Sequence, residues 1–191
     1  MWRSLGAVIR LQIELDRLKE SEQSRYRHEL IRGVERLHVT PDGCLGPANE
    51  GYVIDIHHAA HPRSRSNGTN HLSIGFTGHY DAMRERFGSH VGLGVAGENV
   101  IVERPGLTTV ADLGDELRFE LADGTTLYVA QPQVMRPCAP FTRFCLADER
   151  PPAEELRAGL QFLDDGMRGF KGIPQSSAVL AVGAWLYARA D

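Results

Sequence analysis

The clearest pattern in this chain is a strict alternation of apolar and polar residues near its N-terminus. The apolar positions are Ile9, Leu11, Ile13 and Leu15, and every residue between them is polar. A period of two is typical of a half-buried strand, so we predict a strand over residues 9–15. Similar runs predict further strands over residues 34–40, 52–56, 100–103, 116–121 and 125–130. The Asp123-Gly124 pair between the last two indicates a hairpin.

Two segments show the apolar spacing of a helix. Residues 79–87 carry an apolar stripe and are followed by Gly88, and residues 152–163 place three leucines on one face. Residues 178–187 predict a closing strand, although this apolar run equally fits a buried helix. Many short strands, glycine turns and few helices indicate a mostly β fold with a closed or nearly closed barrel, because closure removes exposed strand edges. We expect residues 1–191 to form a single domain.

Net charge and cysteine content indicate which partners and which cell compartment to expect. The chain of 191 residues has a net charge of -4 with both signs mixed along it, which does not favour nucleic acid or an anionic membrane as a partner. Its three cysteines are sparse and odd in number, so we expect a reducing cytoplasm rather than a disulfide scaffold. The N-terminus lacks the apolar region of a signal peptide, and the longest apolar run is too short to span a bilayer. Neither a nucleic acid nor a membrane is therefore an expected partner.

Residues 57–70 form an aperiodic segment rich in His, Arg, Ser, Gly and Asn. Long loops in compact domains are often functional, so we predict that His57, His58 and His61 supply donors and acid/base groups at the mouth of a pocket. A solvated polar loop is the alternative. Zinc bound by His57, His61 and Asp55 is less favoured, because Pro62 opposes the helix that this spacing needs.

Cys138 is the candidate reactive residue. A thiolate is both a soft metal ligand and the nucleophile that carries a persulfide. If the segment is extended, Arg136 lies on the same face and could lower the pKa of the thiol, whereas Cys145 points to the opposite face and belongs to the core. An inert buried thiol is the alternative.

Two further motifs contain candidate binding residues. Gly97-Glu98-Asn99 offers Asn99 as a ligand for a bound group, or else forms a corner of the barrel. In Gly166-Met167-Arg168-Gly169, the guanidinium of Arg168 suits a phosphate or a carboxylate, or else is an exposed charge on a turn.

Taken in chain order, several motifs resemble those of the MOSC domain. This module is found at the C-terminus of molybdenum cofactor sulfurases and in small stand-alone bacterial proteins. The resemblance covers approximately residues 34–171, and its motifs are His79-Tyr80, Gly97-Glu98-Asn99, Gly114-Asp115, Pro137-Cys138 and Gly166-Met167-Arg168-Gly169. It implies a MOSC-type closed or nearly closed β-barrel.

Departures from the family pattern indicate a divergent stand-alone member. Asp55 and His57 match the polar pair of a Gly-Asp-x-His-like turn, but Ile54 replaces the glycine. Many relatives carry His-Gly-Gly followed by Asp-Lys-Ala, whereas this chain has His58-Ala59-Ala60-His61 and no lysine there, so the resemblance does not supply the usual anion pocket. The Asp-Pro-x-x-Gly run of the mitochondrial amidoxime reductases is also missing. A cofactor sulfurase would need a large pyridoxal-phosphate domain that 191 residues cannot hold.

The resemblance implies that the protein binds the molybdenum cofactor. Cys138 would be the catalytic residue and the ligand to molybdenum, and Asn99, Arg168 and His57 would bind the cofactor, with Arg168 at the pterin phosphate. The activity implied is that of a molybdenum-dependent oxidoreductase that reduces N-hydroxylated compounds with electrons from a partner protein. Two alternatives remain: a metal-free persulfide carrier served by a sulfur-donor protein, and a non-enzymatic binding barrel.

Overall fold

The computed structural model describes residues 1–19, 25–64 and 71–189. Within these segments the strands are β1 (Trp2–Glu14), β2 (Ile31–Val34), β3 (Arg36–Thr40), β4 (Gly43–Pro47), β5 (Tyr52–Ile54), β6 (Leu72–Phe76), β7 (Val100–Val102), β8 (Glu116–Glu120), β9 (Thr126–Val134), β10 (Phe170–Pro174), β11 (Ala178–Ala181) and β12 (Trp185–Arg189). The helices are α1 (Thr77–Phe87), α2 (Val110–Leu113), α3 (Ala139–Leu146) and α4 (Ala153–Phe162). The prediction of a mostly β fold with a few helices is confirmed.

Seven of the strands close into a barrel. Their order around the ring is β12, β8, β9, β10, β6, β7 and β1, and β1 pairs again with β12. The pairing of β6 with β7 is parallel, and the other pairings in the ring are antiparallel. The predicted closed barrel is therefore confirmed.

The long strand β1 organises both the barrel and the site. Its first half pairs with β12, from Trp2 opposite Arg189 to Ala7 opposite Trp185. Its second half pairs with β7 on one side and with β2 on the other. Strand β2 thus extends the barrel sheet at the end of β1 that carries Glu14. A second sheet, in the order β11, β3, β4 and β5, lies beside the barrel.

The apolar side chains form two clusters. Inward-facing residues of the strands fill the barrel, including Leu11, Phe119 and Phe170. A second cluster packs helices α1 and α3 against the outside of β7, with Tyr80 and Phe141 among its fully buried members. No helix in the described segments is long and apolar enough to cross a membrane.

Two expectations about local structure are wrong. Residues 178–187 are not one closing strand but the two strands β11 and β12, which a turn separates so that the chain passes from the second sheet into the barrel. The segment after Cys138 is not extended but is helix α3, with Pro140 in its first turn, where the missing N–H of proline costs nothing. Cys145 is buried in the core as expected, although it arrives there on a helix.

Candidate functional site

A cavity of about 780 Å³ opens where the C-terminal end of β1 meets the N-terminal turn of α3. The residues that line it come from several separate segments. They are Glu14, Arg17, Leu18, Lys19, Ile56, His57, Arg63, Gln133, Val134, Met135, Arg136, Ala139, Pro140, Arg143, Arg168 and Lys171. The volume lies within the range of small-molecule sites.

The wall of this cavity is strongly cationic. Seven of its sixteen lining residues are Arg or Lys, namely Arg17, Lys19, Arg63, Arg136, Arg143, Arg168 and Lys171. Among the described residues, the lining contains one carboxylate, that of Glu14. In a chain of net charge -4, such a concentration of positive charge in a concave site draws anions toward it.

Arg168 lies at the floor of this cavity, in the turn between α4 and β10, and only 4% of it is exposed. Its Nη1 donates to the carbonyl of Arg136 at 3.3 Å, and its Nη2 donates to the carbonyl of Ala96 at 3.2 Å. The guanidinium stacks over the ring of Phe141, 5.1 Å from the centroid. Burial lowers the pKa of Arg168, but nearby acidic groups outweigh this and raise it, so the side chain stays charged.

Two guanidinium nitrogens of the cavity wall are left without partners. The Nε atoms of Arg168 and Arg143 are both buried, and no hydrogen-bond acceptor among the described residues reaches them. Buried donors are rarely left unpaired, because the lost hydration is costly. A bound acceptor, such as a phosphate or carboxylate oxygen, would satisfy these two donors.

Cys138 stands at the N-cap position of α3, next to this wall but not among the residues that line the cavity. Arg136 and Ala139, on either side of it in the chain, line the cavity. Its sulfur lies 3.7 Å from Nη1 of Arg168, a residue 30 positions away in the sequence. The cation in contact with the sulfur is thus Arg168, whereas the sequence pattern predicted Arg136.

The other two cysteines differ from Cys138 in accessibility. Cys44 and Cys145 are buried, whereas Cys138 is partly exposed. Burial raises the pKa of Cys145 to about 12 and raises the pKa of Cys44 well above its ordinary value. Cys138 is consequently the thiol best placed to react with a molecule in solution.

Asp55 and His57 come together, as the motif suggested. One oxygen of Asp55 accepts from the backbone N–H of His57 at 2.8 Å and contacts its Nδ1 at 3.2 Å. The other oxygen accepts from the backbone N–H of Glu14 at 2.8 Å and from the amide of Asn99 at 3.0 Å. Asp55 therefore fixes the position of the His57 ring, which lines the cavity.

The charge of His57 depends on its acidic neighbours. Burial lowers its pKa, but the carboxylates of Glu14 and Asp55 outweigh burial and raise the pKa to about 8. His57 therefore carries a proton near neutral pH and adds to the positive charge of the wall.

Asn99 lies behind the floor of the cavity and does not line it. Its amide oxygen accepts from the backbone N–H and the hydroxyl of Ser73, at 3.2 and 2.9 Å. Its amide nitrogen donates to Asp55 and to the carbonyl of Gln12, at 3.0 and 3.3 Å. The structure thus places this side chain in a buried network that ties β1 and β6 to Asp55, and a direct contact between Asn99 and a cofactor stays a prediction.

The two residues before Asn99, Gly97 and Glu98, also belong to the buried structure behind the cavity floor. The phenol of Tyr80 donates to the buried carboxylate of Glu98 at 2.5 Å, and burial raises the pKa of Glu98 to about 7. Gly97 has a φ of +94°, and a Cβ at this position would stand 2.4 Å from Oε1 of Glu14. Only glycine combines this φ with such a close approach to the carboxylate.

Glu14 is the cavity residue that sequence reasoning missed. It is the last residue of β1, is 6% exposed and faces the cavity. Its position in the alternation predicts a solvated polar face, because the pattern carries no sign of the layers that cover this end of the strand. Burial raises the pKa of Glu14 to about 7, with Asp55 adding to the rise and His57, Arg168 and Lys19 opposing it.

The rest of the histidine-rich loop is described only as far as Ser64; residues 65–70 lie outside the described segments. The rings of His58 and His61 accept from backbone N–H groups of Ala60 and Arg63, both at 3.1 Å. Across residues 1–19, 25–64 and 71–189, no three His, Cys, Asp or Glu side chains are grouped as a metal site would require.

Comparison with known proteins identifies the fold and not the family. No family model and no curated protein matches the sequence. The YuaD protein from Bacillus subtilis superposes with a TM-score of 0.59 over 100% of both chains, at 14% identity. This chain shares its fold with YuaD.

A hypothetical protein matches with a TM-score of 0.53 and 14% identity, over 96% of this chain and 70% of the other. YiiM from Geobacillus stearothermophilus, at 14% identity over 99% and 76% of the two chains, has a TM-score of 0.44, which is too low to carry an argument. The shared barrel is consistent with the stand-alone MOSC fold that the motifs imply.

Proposed function

We propose that the cavity binds a phosphorylated cofactor of the molybdenum cofactor class, with Cys138 as the thiolate ligand of the metal. The observation that carries this proposal is the convergence of seven cations on one cavity, with two buried guanidinium nitrogens left unpaired and a partly exposed thiol beside them. The cations suit a phosphate, and the thiolate would supply a protein ligand to the metal.

The residues present fit such a group. The cavity of about 780 Å³ has room for a small cofactor, and the lining combines the cationic wall with apolar surface from Leu18, Val134 and Met135. The planar guanidinium groups of Arg143 and Arg168 suit a phosphate, because each can present two N–H donors in one plane. When bound, the metal would supply two-electron redox chemistry.

The side chains of this protein would have three tasks in that chemistry. The arginines and lysines of the wall would neutralise the charge of the bound anion and orient it. The apolar lining would limit water around the thiol. His57, held by Asp55, would exchange protons with a bound molecule, which the reduction of an N-hydroxylated substrate requires in addition to electrons from a partner protein.

Protein made in a host that synthesises the cofactor tests this proposal. We expect molybdenum by elemental analysis and pterin fluorescence after oxidative release, both in clear if substoichiometric amounts. The C138S variant should lose the metal, and R143A should lose much of the pterin because it removes a phosphate-binding donor. R157A removes an exposed arginine of α4 and is the matched control. If wild-type protein carries neither metal nor pterin, the proposal is wrong.

A second candidate function is that of a sulfur carrier. It is favoured by the difference between Cys138, which is partly exposed, and the two buried cysteines. In this role the Cys138 thiolate would attack the outer sulfur of a persulfide on a donor protein, release the donor cysteine as a thiol, and hold the sulfur as a persulfide that Arg168 stabilises. Treatment with a persulfide donor should then add one sulfur atom to wild-type protein and none to C138S, by intact-mass measurement. A protein that takes up neither metal nor sulfur would be a binding barrel with an inert thiol.

A further inference from the structure

Glu14 is the one carboxylate among the described residues that line the cationic cavity, and its hydrogen bonding is unusual. Glu14 is 6% exposed and lines the cavity, and no hydrogen-bond donor among the described residues reaches its carboxylate oxygens. The other two buried carboxylates around the site are both bonded: Asp55 accepts four hydrogen bonds, and Glu98 accepts one from Tyr80. Glu14 therefore differs from these two carboxylates, whose hydrogen bonds stabilise the fold.

An anion that enters this cavity meets the charge of Glu14. Two negative charges that share a site of low dielectric repel each other strongly, and the acid of the pair then keeps a proton. A protonated carboxyl group changes from an acceptor to a donor, so the same change that removes the repulsion creates a hydrogen bond to the ligand.

We propose that Glu14 is the general acid of the cavity: it takes up one proton when an oxyanion binds, and its O–H then donates to that ligand. This inference rests on the proposed function, because it requires an anionic ligand, but it assigns a role that neither the motifs nor the fold likeness supplies. The ligand class is an oxyanion or a phosphorylated molecule.

His57 is the group best placed to supply the proton. Its Nδ1 is held by Asp55, and its Nε2 makes no hydrogen bond with any described residue. The imidazolium would pass its proton to the carboxylate of Glu14, and the neutral imidazole would then take a proton from water. The balance is one proton from solvent for each anion bound.

The charges around the pair agree with this role. Glu14 is faced by His57 and Asp55 from the segment after β5, by Arg168 from the turn before β10, and by Lys19 from the segment after β1. Burial outweighs the cations and raises the pKa of Glu14 to about 7, while the pKa of His57 rises to about 8. Both groups can therefore change charge near neutral pH.

Isothermal titration calorimetry with inorganic phosphate, and separately with molybdate, tests proton uptake directly. Runs at about pH 8, roughly one unit above the pKa of Glu14, in buffers of different ionisation enthalpy give the number of protons taken up. We expect uptake approaching one proton in wild type and none in E14Q, which should also bind the anion about tenfold more tightly at that pH. E154Q removes an exposed carboxylate of α4 and should behave like wild type. Equal uptake in wild type and E14Q, or none in either, would overturn the proposal.

A second measurement separates this inference from the proposed function. If wild type binds neither anion, the anion-binding function fails, and infrared titration of the ligand-free protein then decides on Glu14. We expect a protonated-carboxyl band that titrates near neutral pH and is absent in E14Q, and an NMR pKa of His57 that falls in E14Q. If the band is still present in E14Q and the pKa of His57 is unchanged, Glu14 is not the acid described here.

Discussion

Replacement of Asn99 by alanine should destabilise the protein strongly, because the side chain is a structural cross-link. Its amide makes four hydrogen bonds, two with Ser73 and one each with Gln12 and Asp55. All three partner residues are buried, so water does not replace the lost bonds in the folded state.

The size of the loss follows from what is left unsatisfied. An unpaired buried polar group costs about 1–3 kcal/mol, and a hydrogen bond to a charged group contributes about 1.5–3 kcal/mol. Asn99→Ala leaves the N–H of Ser73 without an acceptor and removes one of the four donors of Asp55. Allowing for some relaxation, we expect a loss of about 3–5 kcal/mol in the free energy of unfolding, which is a large part of the stability of an ordinary domain.

Urea denaturation followed by circular dichroism measures this loss. Asn49→Ala, at an exposed position in the turn between β4 and β5, is the matched control and should change stability by less than about 0.5 kcal/mol. Asn99→Asp should also be strongly destabilising, because it sets a second carboxylate against Asp55. If Asn99→Ala lost less than about 1 kcal/mol, the network would not support the fold as argued, and a ligand-binding role for Asn99 would gain weight.

Three other predictions concern accessibility and pH. Cys138 should react with iodoacetamide at neutral pH well before the two buried cysteines, by peptide mass spectrometry, and equal rates at all three in the folded protein would contradict this. The pKa of Glu98 is raised from 4.5 to about 7 in the folded state, so its contribution to stability falls as pH rises through that window. In E98Q the free energy of unfolding, measured by urea denaturation, should lack this pH dependence, which amounts to about 3 kcal/mol in wild type. Parallel curves of stability against pH for the two proteins would refute the prediction. Trypsin should cut first at Arg63 or Arg65 and spare β1 and the β8–β9 hairpin, whereas first cuts near Arg150 with two stable fragments would argue against one domain.

The barrel was predictable because its main signals are local. Alternation of period two marks a strand that has one apolar face, and the Asp123-Gly124 turn fixes the β8–β9 hairpin. Strand β6 was missed because all five of its residues are buried, so no alternation appears. Helix α3 was missed because it has only eight residues and begins directly after Pro137-Cys138.

The site was less predictable, because its contacts join distant parts of the chain. Sequence reasoning selected Cys138, His57 and Arg168 separately, but nothing in their spacing indicates that Arg168 lies 3.7 Å from the sulfur of Cys138. The burial of Glu14 was not predicted for a different reason. Alternation tells which face of a strand a residue occupies, but not whether other parts of the protein cover that face.

The cavity is built from two sets of residues with separate tasks. The Gly97-Glu98-Asn99 motif lies behind the floor, where its glycine admits the carboxylate of Glu14 and its other two side chains bond to Tyr80 and Asp55. The cations stand on other segments, and one of them, Arg168, bonds to the carbonyl of Ala96, the residue just before this motif. Changes to the support should therefore alter stability and the position of the acid pair, whereas changes to the wall should alter which anion binds. A motif match therefore identifies the residues behind the cavity floor, whereas the class of ligand has to be inferred from the charged residues that line the cavity.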